Sequence, residues 1–375
     1  MGVTPGALLE RAQVQSGLSD FGPDGWQDGF ERLVAAMGTD VGDDADVTRR
    51  IEAIIVGRLV NRLRIEDWYA HHAGEAAAHR VEGPLVVVGT GRSGTTATHY
   101  LLAVDPRFRY LRKWEIEDPV PPPSLATEAD DPRRPVSVPS TVHHIATVDG
   151  PTEDRRILEL SFHDDGRTLA LPSYVDTWRD VDHSTAFPYH ERVLRMLHSH
   201  RPPHRWLLKS PDYLFNLPPL FAQYPDIRFV MTHRDPVKVV PSVCSVTIEH
   251  TRLRLPDWTC DPAAFGKNFL EHLAEGVRRF LAFRDSLGED RFVDVGQPEL
   301  QADPVGVAER IYHFAGLELT DELRIAMDQW SRANRAGSRG DHHYSAEQFG
   351  LTDTQIREAF AEYLDRFGGL CAPER

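Results

Sequence analysis

The chain has 375 residues, 41% of them hydrophobic and 26% charged, which suits a globular core and excludes a disordered or collagen-like chain. Its formal net charge of −15 excludes non-specific nucleic-acid binding through a basic surface, yet leaves room for a local anion pocket. The three cysteines, Cys244, Cys260 and Cys371, are too few and too scattered for a disulfide framework or a tetrahedral metal site, and read as free thiols in a reducing cytoplasm.

In chain order, the first expected element is a short amphipathic helix over Thr4–Gln15. Met1–Asp20 lacks the basic start and long apolar run of a signal peptide, and later apolar runs are too short to span a bilayer, so a cytoplasmic protein without a membrane partner is expected. A stronger helix is predicted over Thr48–Ala70, where Ile51, Ile54, Ile55, Leu59, Leu63 and Ile65 recur near helical spacing. Residues 1–80 therefore read as a helical segment for packing, oligomerisation or substrate cover, which leaves a homo-oligomer open. Residues 81–375 read as one domain.

At Pro84 the texture changes. Leu85-Val86-Val87-Val88 is a continuous apolar run that stops at Gly89, the mark of a buried parallel strand. A helix follows from about Gly94. Pro119–Pro139 is too rich in proline for regular structure and reads as a substrate loop or lid. A helix is expected over 152–163, opened by Thr152 with Glu153 and Asp154 in its first turn. Arg205–Lys209, Ile227–Thr232 and Arg291–Val295 read as further strands, each with a helical pattern soon after. Thr352–Phe367 reads as a final amphipathic helix. Strand then helix, repeated, predicts an α/β fold: three layers and P-loop-like, with a central parallel sheet flanked by helices, plus the helical N-terminal segment.

Between the first strand and its helix lies Gly89-Thr90-Gly91-Arg92-Ser93-Gly94-Thr95-Thr96. Glycines let such a loop wrap an anion, and the helix N-terminus points N–H groups and a partial positive charge at it. Gly89 and Gly94 have Walker A spacing, but Thr95 stands where that loop needs lysine, and a basic residue appears earlier, at Arg92. This weakens the case for a β/γ-phosphate pair and suits a phosphate carrying one further group. A plain Gly/Ser/Thr turn is the alternative. Further on, the strand ending at Thr232 runs into His233-Arg234-Asp235-Pro236 and a helix containing Ser242. Ligands of open α/β sheets bind at such carboxyl ends, and Arg234 with Ser242 could hold a second phosphate. Alone, Arg-Asp-Pro also reads as a capped turn.

The two segments together resemble the family of sulfotransferases that use 3′-phosphoadenosine 5′-phosphosulfate (PAPS), most closely bacterial small-molecule sulfotransferases and protein-tyrosine sulfotransferases. Gly91-Arg92-Ser93-Gly94-Thr95-Thr96 matches the family's 5′ loop, and the Arg234/Ser242 spacing matches its 3′-phosphate site. Leu208-Lys209-Ser210-Pro211 resembles its Lys-x-Pro segment, and Tyr344–Leu351 resembles the bacterial branch. The likeness spans about residues 84–367. Gln297-Pro298-Glu299-Leu300 departs from the family's Tyr-Glu-x-Leu. Arg335-Ala336-Gly337-Ser338-Arg339-Gly340-Asp341 resembles the 3′-phosphate loop of cytosolic members, so Arg335 and Gly337 join the cofactor candidates. A helix-terminal glycine turn is the alternative there.

The resemblance implies transfer of a sulfuryl group from PAPS to a hydroxyl or amine of a small-molecule acceptor, leaving PAP. Charge grows on the leaving 5′-phosphate, where Arg92, Thr95, Thr96, Lys209 and loop N–H groups should stabilise it. No divalent metal is required in principle, and the adjacent pairs His143-His144 and His342-His343 suit none. The general base is expected at Glu115, in Lys113-Trp114-Glu115, where the resembling enzymes carry a catalytic glutamate; Glu117 and His343 are fallbacks. Trp114 would wall the site. The acceptor pocket is sought among the proline-rich loop, Leu171–Trp178 and the N-terminal helices. The rival readings are a nucleotide-dependent kinase or NTPase, which would bind ATP with Mg²⁺, and a non-catalytic PAP sensor, which would need neither Glu115 nor Lys209.

Overall fold

The structure, a computed structural model, describes residues 3–41, 44–138, 145–164, 169, 171–178, 181–201, 204–254, 258–334 and 344–372. The chain begins with helices α1 (Pro5–Ser16), α2 (Gln27–Asp40) and α3 (Ala45–Ala77). Thr4 caps α1 and Asp44 caps α3, each side-chain oxygen accepting from first-turn amides. The stripe expected from residue 48 therefore begins at Ala45 and runs on past Ala70, through non-helical dihedrals at His72.

Five parallel strands follow: β1 (Leu85–Val88), β2 (Phe108–Arg109), β3 (Arg205–Lys209), β4 (Arg228–His233) and β5 (Phe292–Gly296). Their spatial order is β2-β3-β1-β4-β5. Four are the strands expected from sequence, shifted by a residue at most; β2, of two residues, is too short for any periodicity to announce. Side chains of β1 alternate between two layers. Leu85 and Val87 join a core with Leu101, Val230, Val293 and Ile311, while Val86 and Val88 join a second with Phe229, Met231, Leu217 and Phe280. Both faces are covered, so the strand is apolar throughout. Each fully buried aliphatic side chain is worth about 1.5–3 kcal/mol.

The connecting helices are α4 (Thr95–Leu102), α5 (Lys113–Glu117), α6 (Arg155–Leu160), α7 (Pro172–Trp178), α8 (Ala186–His198), α9 (Tyr213–Gln223), α10 (Pro236–Arg254) and α11 (Pro262–Leu287). After β5 come α12 (Gln297–Ala302), α13 (Pro304–Ala315), α14 (Asp321–Ala333), α15 (Asp353–Ala359) and α16 (Ala361–Cys371). Leu8, Ile55 and Leu59 of the N-terminal helices belong to the same buried cluster as Phe229 and Met231 of the sheet. Arg62 of α3 pins them: it is buried and donates to the carbonyls of Phe21, Pro23 and Leu160 at 3.1–3.2 Å. Lost, those bonds would leave orphaned buried acceptors.

Two expected helices differ. The one expected over 152–163 starts only at Arg155, because Asp154 clamps β3: its carboxylate accepts from Lys209 N at 2.6 Å and its amide donates to Lys209 O at 3.3 Å. The final helix is two, broken at Phe360, and the break leaves Ile356, Phe360, Tyr363 and Phe367 all buried. Among the described residues, no helix is long and apolar enough to cross a membrane.

Candidate active site

Strand register assembles the site. β1 lies between β3 and β4, with Val87 opposite Lys209 and Val88 opposite Met231. The loop after β1, Lys209 at the end of β3, and the turn after β4 thus share the carboxyl edge of the sheet, where α/β folds bind ligands.

The loop is tightly built. A Cβ on Gly89 would come within 2.5 Å of Thr232 Oγ1 and 2.9 Å of Ser93 Oγ, so only glycine fits. Gly94 has φ +107 and offers no side chain to cap α4, whose first-turn amides are left for another acceptor. Arg92 sits at φ +69, a conformation costly for a side chain of that size. Contacts hold it there: Arg92 Nε donates to Ser242 Oγ at 3.2 Å, and Arg234 Nη1 donates to Arg92 O at 2.9 Å. The loop, Arg234 and Ser242 are therefore one cluster. Burial and the neighbouring Arg234 guanidinium hold the Arg92 pKa below its ordinary value. Tyr344 also lies within electrostatic reach of Arg92, which brings the C-terminal segment to the loop.

Ser93 turns inward. Its hydroxyl donates to Thr90 O at 2.6 Å and lies 2.7 Å from Thr232 Oγ1, while its amide donates to Thr90 O at 3.2 Å. In this arrangement the residue braces the loop, with both its hydroxyl and its amide directed at Thr90 O. Thr95 is buried and Thr96 partly buried at the start of α4. Gln297, where the tyrosine was missing, is still beside the loop: a Cβ on Gly94 would lie 3.6 Å from Gln297 Cγ.

Lys209 is buried, and its Nζ donates to Glu153 Oε1 at 2.7 Å and to Thr96 Oγ1 at 3.4 Å. Burial by itself would raise the Glu153 pKa, but Lys209 and Arg155 more than offset it and hold the group below the usual carboxylate range. Behind Lys209, Asp154 Oδ2 lies 3.3 Å from His190 Nε2, and His190 Nδ1 is 2.8 Å from Tyr224 Oη. This buried relay fixes the strand end. Sequence reasoning saw Glu153 and Asp154 only as helix-start acids.

Glu115 has a different setting. It is fully buried; both oxygens accept from Arg109 Nη2 at 2.9 Å, Oε1 accepts from Arg112 Nε at 2.7 Å, and Oε2 accepts from Arg112 N at 3.1 Å. Burial alone would raise its pKa; Arg109 and Arg112 more than offset this and hold it down. Its oxygens thus form the centre of a buried ion-pair cluster. Trp114 stacks on the Arg112 guanidinium, 4.6 Å from ring centroid to Cζ. Glu117, a fallback, is half-exposed and pairs with Lys113 at 3.6 Å. Arg335, Gly337 and His343 lie outside the described residues, as do His143-His144 and His342. Among the described residues, no group of three or more His, Cys, Asp or Glu converges as a metal site.

A sequence model of the Sulfotransferase family matches residues 84–321, and the chain belongs to that family. The crystal structure of sulfotransferase STF9 from Mycobacterium avium superposes with a TM-score of 0.88 at 29% identity, covering 99% of this chain and 98% of that one. Sulfotransferase STF1 from Mycobacterium tuberculosis H37Rv gives a TM-score of 0.82 at 29% identity, over 96% of this chain and 99% of that one. Among curated proteins, the omega-hydroxy-beta-dihydromenaquinone-9 sulfotransferase Stf3 of Mycobacterium bovis is 23% identical over 314 residues, which are 76% of this chain and 75% of that protein.

Proposed function

We propose that the protein moves a sulfuryl group from PAPS to a hydroxyl of a small-molecule acceptor. The observation that carries the donor reading is the Arg92–Ser242–Arg234 cluster beside the uncapped N-terminus of α4. The residues fit such a donor: the glycine cradle admits a phosphate closely, the α4 amides and Thr95 and Thr96 suit its 5′-phosphosulfate, and Arg234 with Ser242 suits the 3′-phosphate. PAPS would supply a sulfuryl group already activated on a phosphate oxygen.

In this reading Lys209 Nζ, already at Thr96, stabilises the charge that grows on the leaving phosphate oxygen as the S–O bond to it breaks. Glu153 takes the base role instead of Glu115. It accepts the acceptor's hydroxyl proton as that oxygen bonds to sulfur. With Lys209 drawn to the phosphate, Glu153 loses part of the positive field that depresses its pKa and becomes a better base. Arg109, Glu115 and Arg112 act as a buried brace.

Calorimetric titration of the full chain with PAP, in metal-free buffer with ATP as the comparison, tests the donor site. Metal-independent PAP binding that exceeds ATP binding and weakens in Arg234→Ala is expected. Mg²⁺-dependent preference for ATP would revive the kinase reading.

A further inference from the structure

A cleft of about 500 Å³ opens between α3, α5 and α6, within the range of small-molecule sites. Three of its features point to one use. The first is its connection. Arg155 lines it, Arg155 Nε donates to Glu153 Oε2 at 2.8 Å, and the other oxygen of that carboxylate accepts from Lys209 Nζ at 2.7 Å. A single carboxylate thus separates the cleft wall from the lysine that reaches Thr96.

The second is its floor. Val60, Ile116 and Leu160 are buried apolar side chains facing the cleft, and Ile54 stands 40% exposed at its rim. On α3 the sequence places Ala53, Gly57 and Val60 at i, i+4 and i+7, one face of the helix, with the two smallest residues where room is needed. A Cβ on Gly57 would meet nothing within 4 Å. The third is its charge. Each arginine on the wall already has a carboxylate: Arg58 with Asp164 at 3.1 Å, Arg155 with Glu159 at 3.1 Å, Arg156 with Glu117 at 3.5 Å, and Arg64 with Asp118. The wall is built for a neutral guest.

We infer that this cleft is the acceptor site, and that the acceptor is a neutral molecule with an apolar body carrying a hydroxyl. The body lies along the Ala53–Gly57–Val60 face of α3, with the hydroxyl directed to Glu153. The inference rests on the sulfuryl-transfer reading above. It also gives the N-terminal helices a purpose: α3 is one wall of the substrate site.

Gly57 is the position to alter. Alanine and leucine both favour helix over glycine, and the space above it is open, so Gly57→Ala and Gly57→Leu should fold while filling the cleft in two steps. Full-length protein is assayed with PAPS and 2-naphthol, with N-acetylglucosamine as a polar hydroxyl control. PAP affinity is measured in parallel by calorimetry, as is direct binding of 2-naphthol. Sulfation of 2-naphthol in preference to the sugar is expected, with KM raised about threefold in Gly57→Ala and tenfold or more in Gly57→Leu. PAP affinity should stay within about twofold of wild type. An unchanged KM in Gly57→Leu, a preference for the sugar, or no transfer to 2-naphthol by protein that binds PAP would overturn the assignment. If wild-type protein fails to bind PAP, the donor reading falls by itself. Direct 2-naphthol binding, weakened tenfold by Gly57→Leu, then still supports an apolar-alcohol cleft, and absence of that binding overturns it.

Discussion

Glu153 and Glu115 are both carboxylates held between two cations, and they teach opposite lessons. Glu115 is fully buried, and its partners Arg109 and Arg112 are themselves buried. Glu153 keeps about a quarter of its side chain exposed, and its partner Lys209 also touches Thr96 at the start of α4. Arg112 also pairs with Glu128 at 2.8 Å, so the two sites differ in exposure and setting: Glu115 sits sealed among guanidiniums, whereas Glu153 lies partly open beside a lysine that reaches the start of α4. The charge pattern is the same, and the exposure of the carboxylate and its place beside α4 separate the two.

The largest effect on turnover is expected at Glu153. Glu153→Gln should lower turnover about 10²- to 10⁴-fold while leaving PAP affinity close to wild type, measured by PAPS turnover and calorimetry side by side. Glu115→Gln should do the reverse. It strands part of the charge of two buried arginines and should cost about 3–5 kcal/mol in denaturant unfolding, with turnover per folded molecule retained. The pH dependence has a definite sign. The folded-state pKa of Glu115 is depressed, so its stabilisation is complete above the unfolded value of about 4.3 and is lost as pH falls through the lower folded one. The gap between wild type and Glu115→Gln should therefore be flat from neutral pH down to about 5 and close only in stronger acid.

Lys209→Ala sharpens the picture from the cation's side, with turnover expected to fall about 10²- to 10³-fold and PAP affinity to change less. Arg92→Ala and Arg234→Ala should each weaken PAP binding by about 10- to 100-fold, from charge-assisted bonds worth about 1.5–3 kcal/mol. Because Arg234 also holds the Arg92 carbonyl, the double mutant should fall short of the sum, which calorimetry on all three variants would reveal. Ser93→Ala should cost least, about 0.5–1.5 kcal/mol of stability, since its hydroxyl serves the loop's own geometry.

Much of the loop-and-strand framework of the proposed donor half was legible in sequence because its signals are local. Apolar runs such as Leu85–Val88 announce strands buried on both faces, and a glycine-rich strand-to-helix turn announces an anion loop. Arg234 and Ser242 follow one strand within a single helix-opening segment. Glu153 was not legible as a partner of Lys209, since 56 residues separate them and only the β3 clamp by Asp154 brings them together. Before the fold is known, Thr152-Glu153-Asp154 reads as a helix start. The setting of Glu115 was hidden for a different reason. Arg109 and Arg112, six and three residues earlier, were in view, but spacing does not reveal that both guanidiniums turn inward with it. The N-terminal helices were among the places to seek the acceptor, but Ala53 and Gly57 carry no chemistry to single them out; what they would contribute is space.

The most direct test of the central claim is single-turnover PAP formation from PAPS, with 2-naphthol as acceptor, in Glu153→Gln and Glu115→Gln at matched concentrations of folded protein. Loss of turnover in Glu153→Gln and its retention in Glu115→Gln is the predicted result. Loss in Glu115→Gln with Glu153→Gln unimpaired would contradict it, and would return the proton to the buried arginine cluster.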